Sequence, residues 1–155
     1  MSKVYSFKTI QLIPTDINTA WDFFSNPNNL AAITPNNLGF KVISKYQGDK
    51  IYPGQVIEYK VSPVLGIPLY WMTEIIHMEH RKYFVDEQRF GPYSLWHHQH
   101  HFKETNGGVE MTDIVHYKLP LWWLGDIANS LFVSRQVKAI FDHRYKKVEE
   151  MFVTK

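Results

Sequence analysis

The chain has 155 residues, of which 45% are hydrophobic and 21% charged, with a formal net charge of +2. A chain of this length suits one domain, residues 1–155, able to bury roughly 68–70% of its unfolded surface. The small charge argues against nucleic acid or an anionic membrane as the main partner, and the lack of cysteine excludes disulfides, thiolate nucleophiles and thiolate metal sites.

In chain order, the N-terminal residues lack the apolar core of a signal peptide, and residues 6–12 read as a first strand ended by Pro14. Thr15-Asp16 supplies an N-cap and a first-turn acid. Behind it Ile17, Ala20, Trp21 and Phe24 fall at i, i+3, i+4 and i+7, the pattern of a short amphipathic helix. Asn26-Pro27 caps a still shorter helix around Leu30, Ala31 and Ile33. Between residues 40 and 118 six strands alternate with turn residues, with no helical period among them. Ile127, Leu131, Ser134, Val137, Phe141, Tyr145, Val148 and Phe152 then trace one stripe of a long helix. Arg135, Lys138, Arg144, Lys146 and Lys147 read as its solvated face. No apolar run approaches the ~20 residues that span a bilayer, so a cytoplasmic location is expected. The order predicts an α+β domain: a curved antiparallel sheet of about seven strands wrapped around a long C-terminal helix, with two short helices between strands 1 and 2.

In an antiparallel meander every second connection lies at the same edge of the sheet. Gln47-Gly48-Asp49-Lys50, Glu79-His80-Arg81-Lys82 and Thr105-Asn106-Gly107-Gly108 share one edge and are polar. Val64-Leu65-Gly66-Ile67-Pro68-Leu69, Phe90-Gly91-Pro92-Tyr93 and Pro120-Leu121-Trp122-Trp123-Leu124 share the other and are largely apolar. Solvated loops are normally polar, so the second edge reads as the rim of an apolar opening.

Asn106-Gly107 is a two-residue hairpin signal that favours a type I′ turn. Counting back from it, Phe102 opposes Met111, His100 opposes Asp113, His98 opposes Val115 and Trp96 opposes Tyr117. These residues share one face, aromatic and apolar with a polar inset. His97, Gln99, His101 and Thr112 occupy the wet face. Asp86 and Gln88 on the preceding strand can join the inner wall. For residues 70–79 both alternating sets mix polar and apolar residues, and no face is assigned.

At Phe84-Val85-Asp86-Glu87-Gln88 followed by Gly91-Pro92-Tyr93, Trp96-x-His98-x-His100-x-Phe102, Met111-Thr112-Asp113 and Tyr117-x-Leu119-Pro120, the chain resembles the START-like (SRPBCC) helix-grip superfamily. That group includes birch-pollen-type allergens, lipid-binding START domains, and polyketide cyclases and dehydratases. The look is that of its small bacterial members, some of them loosely labelled cell-division inhibitors, a label these residues do not support. The resemblance covers essentially the whole chain and implies a cavity between the sheet and the C-terminal helix, entered near the apolar loops.

The expected function is binding of a hydrophobic or amphipathic small molecule, lipid-, polyketide- or aromatic-like, in that cavity. Trp96, Phe102, Met111, Val115 and Tyr117 are the expected walls, Phe141 and Tyr145 the helix side, and Trp122 the mouth. His98, His100, Asp113, Asp86 and Gln88 are the expected polar anchor. The alternative is a cyclase, dehydratase or hydrolase in which His100 and Asp113 form an acid–base pair; no Ser-His-Asp spacing or oxyanion loop accompanies it. A third reading is an interaction module that docks a partner through the apolar rim. His98-x-His100 with Asp113 or Asp86 has the composition of a two-histidine, one-carboxylate metal site. A histidine-rich stretch offers such matches by chance, so no metal and no cofactor are assigned. Trp122 and Trp123 suit transient membrane contact or simple closure of the mouth. A monomer or homodimer is expected.

Overall fold

The computed structural model describes residues 3–44, 50–64, 66–121, 124 and 127–153. Strand β1 (Tyr5–Ile13) leads into α1 (Ile17–Phe24) and two 3₁₀ segments, Pro27–Ile33 and Asn36–Leu38. Strands β2 (Lys41–Val42), β3 (Val56–Val64), β4 (Ile67–Glu79), β5 (Tyr83–Phe90), β6 (Leu95–Thr105) and β7 (Gly108–Lys118) follow. A π turn, Asn129–Val133, precedes α2 (Ser134–Val153). The seven strands form one antiparallel sheet in the order β1-β7-β6-β5-β4-β3-β2. The α+β expectation, a curved seven-stranded sheet around a C-terminal helix, is met.

Local chemistry accounts for the short helices. Asp16 accepts hydrogen bonds from the Asn18 and Thr19 amides at 2.9 and 3.0 Å, satisfying donors that a helix start leaves free. Ile17, Ala20, Trp21 and Phe24 are the buried face of α1. Asn26 accepts from the Asn28 amide at 3.0 Å, with Pro27 at the first turn, but the segment winds as 3₁₀ rather than α. Trp21 packs edge-on against Phe84 and Phe102, fixing α1 to the sheet.

The β6–β7 register is the expected one, with His100 opposite Asp113 and Trp96 opposite Tyr117. The turn differs. Positive φ falls on Gly108, at 131°, and on neither Asn106 nor Gly107, so the turn is not type I′. The reason is close approach: a Cβ on Gly108 would lie 2.1 Å from the Ile13 carbonyl oxygen, where β1 ends beside β7.

On β4 the alternation breaks. Trp71, Thr73 and Ile75 face inward, but the β4–β5 register shifts between Ile75 and His77, and Met78 becomes the next residue on the core side. A bulge inserts one residue and reverses the parity of the strand, which is why no single face could be read there.

The rim residues Ile67, Phe90, Leu121 and Leu124 are exposed at the edge expected to carry the apolar opening. Gln47-Gly48-Asp49, Leu65, Trp122 and Trp123 lie outside the described residues. Among the described residues no helix is long and apolar enough to cross a membrane.

The stripe on the C-terminal helix needs correction. Val137, Phe141 and Val148 are buried, whereas Ile127, Leu131 and Tyr145 are exposed. The π turn carries an extra residue per turn and rotates the earlier positions out of phase. Along α2 the inward line runs Val137, Phe141, Arg144, Val148, at i, i+4, i+7 and i+11. Arg144 therefore leaves the solvated face to which its charge had assigned it, and it lines the cavity beneath the helix.

Candidate functional site

The sheet and α2 enclose a cavity of about 180 Å³. Its apolar wall draws on every layer: Phe24 from α1, Leu30 and Ile33 from the first 3₁₀ segment, Trp71 from β4, Trp96 from β6 and Phe141 from α2. Asp86, His98, His100 and Arg144 supply the carboxylate, imidazole and guanidinium groups of the lining.

The polar residues sit where the alternation of three adjacent strands delivers them. Along the inner face, Phe102 and Met111 belong to one hydrophobic cluster, built around Trp21 and Phe24. Val115 and Tyr117 belong to a second cluster with Val137 and Phe141. His98, His100 and Asp113 lie between the two and are all buried. Burial of such groups is tolerable only when they satisfy one another. His98 Nε2 lies 2.8 Å from Asp113 Oδ1, and His100 Nε2 lies 3.0 Å from Asp86 Oδ2. His100 Nδ1 is also 3.0 Å from Asp113 Oδ1, but as an ion-pair contact without hydrogen-bond alignment. His98 Nδ1 lies 3.7 Å from Asp86 Oδ2. The two imidazoles pack at a tilt of 39° with ring centroids 3.8 Å apart, and Phe84 stacks on His100 at 4.1 Å.

The two histidines shift in opposite directions. Burial, reinforced by the neighbouring His100, pushes His98 down to about 4, so it is neutral. Burial also opposes charge on His100, but its close contacts with the Asp113 and Asp86 carboxylates outweigh it and raise its pKa. Burial would raise Asp113, yet Arg144 and the two histidines hold it well below the usual carboxylate range. Asp86 is likewise lowered against the cost of burial, chiefly by its hydrogen bond from His100. The two carboxylates are thus offset by the imidazoles and by the Arg144 guanidinium, and such mutual compensation is the condition under which buried ions persist.

Some donors facing this region remain unused. The Arg144 guanidinium lies 5.9 Å from the ring centroids of Phe24 and Phe141, and its Nε is buried without a hydrogen-bond partner. The indole N–H of Trp71 is also buried and unpartnered. Burial pushes the phenols of Tyr59 and Tyr93, both lining residues, above their ordinary range and keeps them neutral.

Of the expected site residues, Asp86, Trp96, His98, His100 and Phe141 line the cavity. Phe102, Met111, Val115 and Tyr117 are packed into the two core clusters outside its lining. Asp113 stands behind the histidines rather than at the cavity surface. Gln88 is committed to the β5–β6 connection, donating to the Tyr93 carbonyl at 2.6 Å and accepting from the Tyr93 amide. Tyr145 is exposed, and its carbonyl accepts from Gln11 Nε2, tying α2 to β1. Trp122 lies outside the described residues.

Sequence reasoning missed Arg144, Trp71, Tyr59 and the 3₁₀ residues Leu30 and Ile33 as cavity wall. For Arg144 a signal existed, since spacing of 3.6 places residue 144 nearer than residue 145 to the line through Val137, Phe141 and Val148. For Trp71 the bulge erased it.

No family model and no curated protein matches the chain. Solved structures match over nearly its full length. A protein from Chromobacterium violaceum, CV1439, aligns with a TM-score of 0.72 at 10% identity, covering 95% of this chain and 96% of that one. The ginseng major latex-like protein 151 from Panax ginseng gives 0.68 at 15% identity, with 96% and 97% covered. Ara h 8.0201 gives 0.65 at 13% identity, with 99% and 100% covered. At such identities the likeness is one of fold. What these likenesses show is the helix-grip fold.

Proposed function

We propose that this protein binds a compact amphipathic small molecule, with an apolar body among the aromatic walls and a hydrogen-bond acceptor at the polar end of the cavity. The observation that carries this reading is the pairing of an apolar cavity with unpartnered buried donors on its lining residues Arg144 and Trp71. A buried donor left unmade costs about 1–3 kcal/mol, which a ligand oxygen would recover. A volume of about 180 Å³ falls below the roughly 300–1,000 Å³ of pockets for drug-sized ligands and favours a ring-bearing or short-chain molecule over a long lipid.

The alternative, acid–base turnover, depends on a histidine with a free lone pair. His100 is held between two carboxylates, whereas His98 is neutral with Nδ1 turned towards Asp86, so His98 is the better-suited base of the two.

Trp71 and Trp96 stand in the wall, so intrinsic fluorescence reports occupancy. The test is a titration with aryl-alkanoic acids such as 3-phenylpropanoate and their matched apolar analogues. Saturable binding that weakens at least tenfold in Trp96→Ala supports the proposal. Failure of every probe to bind, or binding indifferent to Trp96→Ala, overturns it.

A further inference from the structure

We infer that Asp86, His98 and His100 form a binding site for one divalent first-row transition-metal ion of the zinc or iron(II) class, opening into the cavity. Asp86, His98 and His100 each offer one ligand atom, and the three atoms lie within 4.8 Å of one another. The two distances to Asp86 Oδ2, 3.0 Å from His100 Nε2 and 3.7 Å from His98 Nδ1, bracket the spacing of about 3.3 Å that ligands around a tetrahedral zinc require.

The non-ligating nitrogens carry the argument further. His98 Nε2 and His100 Nδ1 both approach Asp113 Oδ1, at 2.8 and 3.0 Å. Metal-bound histidines usually direct the second ring nitrogen at a carboxylate, which fixes the tautomer and raises the basicity of the ligating nitrogen. The buried Asp113 Oδ1 does this for His98, bonding its Nε2 and leaving Nδ1 to coordinate, while His100 Nδ1 only approaches the same oxygen and its Nε2 faces Asp86. Two imidazoles with one carboxylate favour zinc, iron or their neighbours over magnesium and calcium, which take oxygen ligands.

Three protein ligands leave a coordination position open, and all three residues line the cavity whereas Asp113 does not. The open position faces the space in which a ligand's polar end would lie. The outer-face histidines make no comparable arrangement. His97 bonds to Glu87 and His101 to Gln99, and the only such convergent group among the described residues is the inner one.

The experiment is a titration of the chelator-treated full chain with Co(II), followed by displacement with Zn(II). The expected result is one equivalent of Co(II) with visible d–d absorption and paramagnetically shifted ring protons of His98 and His100 in the unsubstituted protein. Asp86→Asn and His98→Gln should each weaken binding at least about a hundredfold. Asp113→Asn should weaken it roughly 10–100-fold while keeping one site. His97→Ala and His101→Ala should leave it unchanged. Near-ultraviolet circular dichroism checks that each variant is folded, and the ring-proton shifts decide the matter if a variant is not. Absence of a stoichiometric site, or loss of binding with His97 or His101 instead of His98, overturns the inference. Apolar-ligand binding is scored separately, so either proposal can fail alone.

Discussion

Asp113 is the residue on which the polar inset depends. It stands 2.8 Å from one imidazole and 3.0 Å from the other, and all three side chains are buried. Removing one partner of a buried ion pair typically costs about 3–5 kcal/mol, because the other is left uncompensated. Asp113→Ala is expected to lower the unfolding free energy by about that amount, measured by urea denaturation with an unchanged m-value. Arg144 poses a different test, since it stabilises both carboxylates electrostatically without ion-pair contact yet keeps a buried, unused Nε. On the proposed binding mode, Arg144→Met should weaken binding of 3-phenylpropanoate by about tenfold or more while sparing its apolar analogue, as loss of a charged hydrogen bond worth roughly 1.5–3 kcal/mol implies. Equal losses for both ligands would remove Arg144 from the anchor.

At the scale of elements, α1 and the β6–β7 hairpin make separate contributions. Trp21 is 2% exposed and packs on Phe84 and Phe102. Trp21→Ala should cost about 3–5 kcal/mol and loosen the wall that α1 and the first 3₁₀ segment add to the cavity, read as lower stability together with weaker ligand binding. The α1 cap is acid-sensitive. The Thr19 hydroxyl and the Thr19 and Asn18 amides lower the Asp16 pKa below 3.8. A lowered folded-state pKa means that the cap's contribution is present above the unfolded value and lost as pH falls through the folded one. Amide exchange at Asn18 and Thr19 should therefore accelerate relative to the rest of α1 in strong acid, and Asp16→Ala should abolish that difference. At the hairpin, Gly108→Ala would press a Cβ against the Ile13 carbonyl oxygen at a φ of 131°. It should destabilise by about 2 kcal/mol or more and detach the end of β1, seen as a fall in the thermal midpoint.

For the whole molecule, the sheet and α2 close on a cavity because the core is divided. Two hydrophobic clusters flank the His98–His100–Asp113 inset, and Trp71 beside the first meets Tyr93 and Trp96 beside the second. A ligand that binds only the folded chain adds about 2.7 kcal/mol of stability at a concentration one hundred times its dissociation constant. For a chain of this size that corresponds to a rise of roughly 5–11 °C in thermal midpoint. The same ligand should produce a smaller rise in Trp96→Ala at equal concentration. The exposed rim of Ile67, Phe90, Leu121 and Leu124 stands at the edge named by loop parity alone, because parity in a meander follows from chain reversal and needs no packing information.

What the sequence by itself determined is what depends on period and neighbours. Strand and helix order, a capped helix start at Thr15-Asp16, the apolar rim and the β6–β7 register all follow from residues close in the chain, where backbone geometry limits the outcomes; that the cap is Asp16 and not Thr15 came from the structure. Through the β6–β7 register the sequence also brought His98, His100 and Asp113 to one face. Tertiary structure decided which inward residues meet a cavity and which meet each other. Met111 and Val115 alternate as correctly as Trp96, yet they fill core, because α1 and α2 cover them and leave Trp96 uncovered. It decided that Asp86 joins the two histidines while Asp113 backs them, which rests on the β5–β6 register across a loop too long to count through. The β4 bulge and the π turn are single-residue insertions that reverse or rotate a face. Their cost is repaid by packing between distant elements, so no local pattern in the chain discloses them.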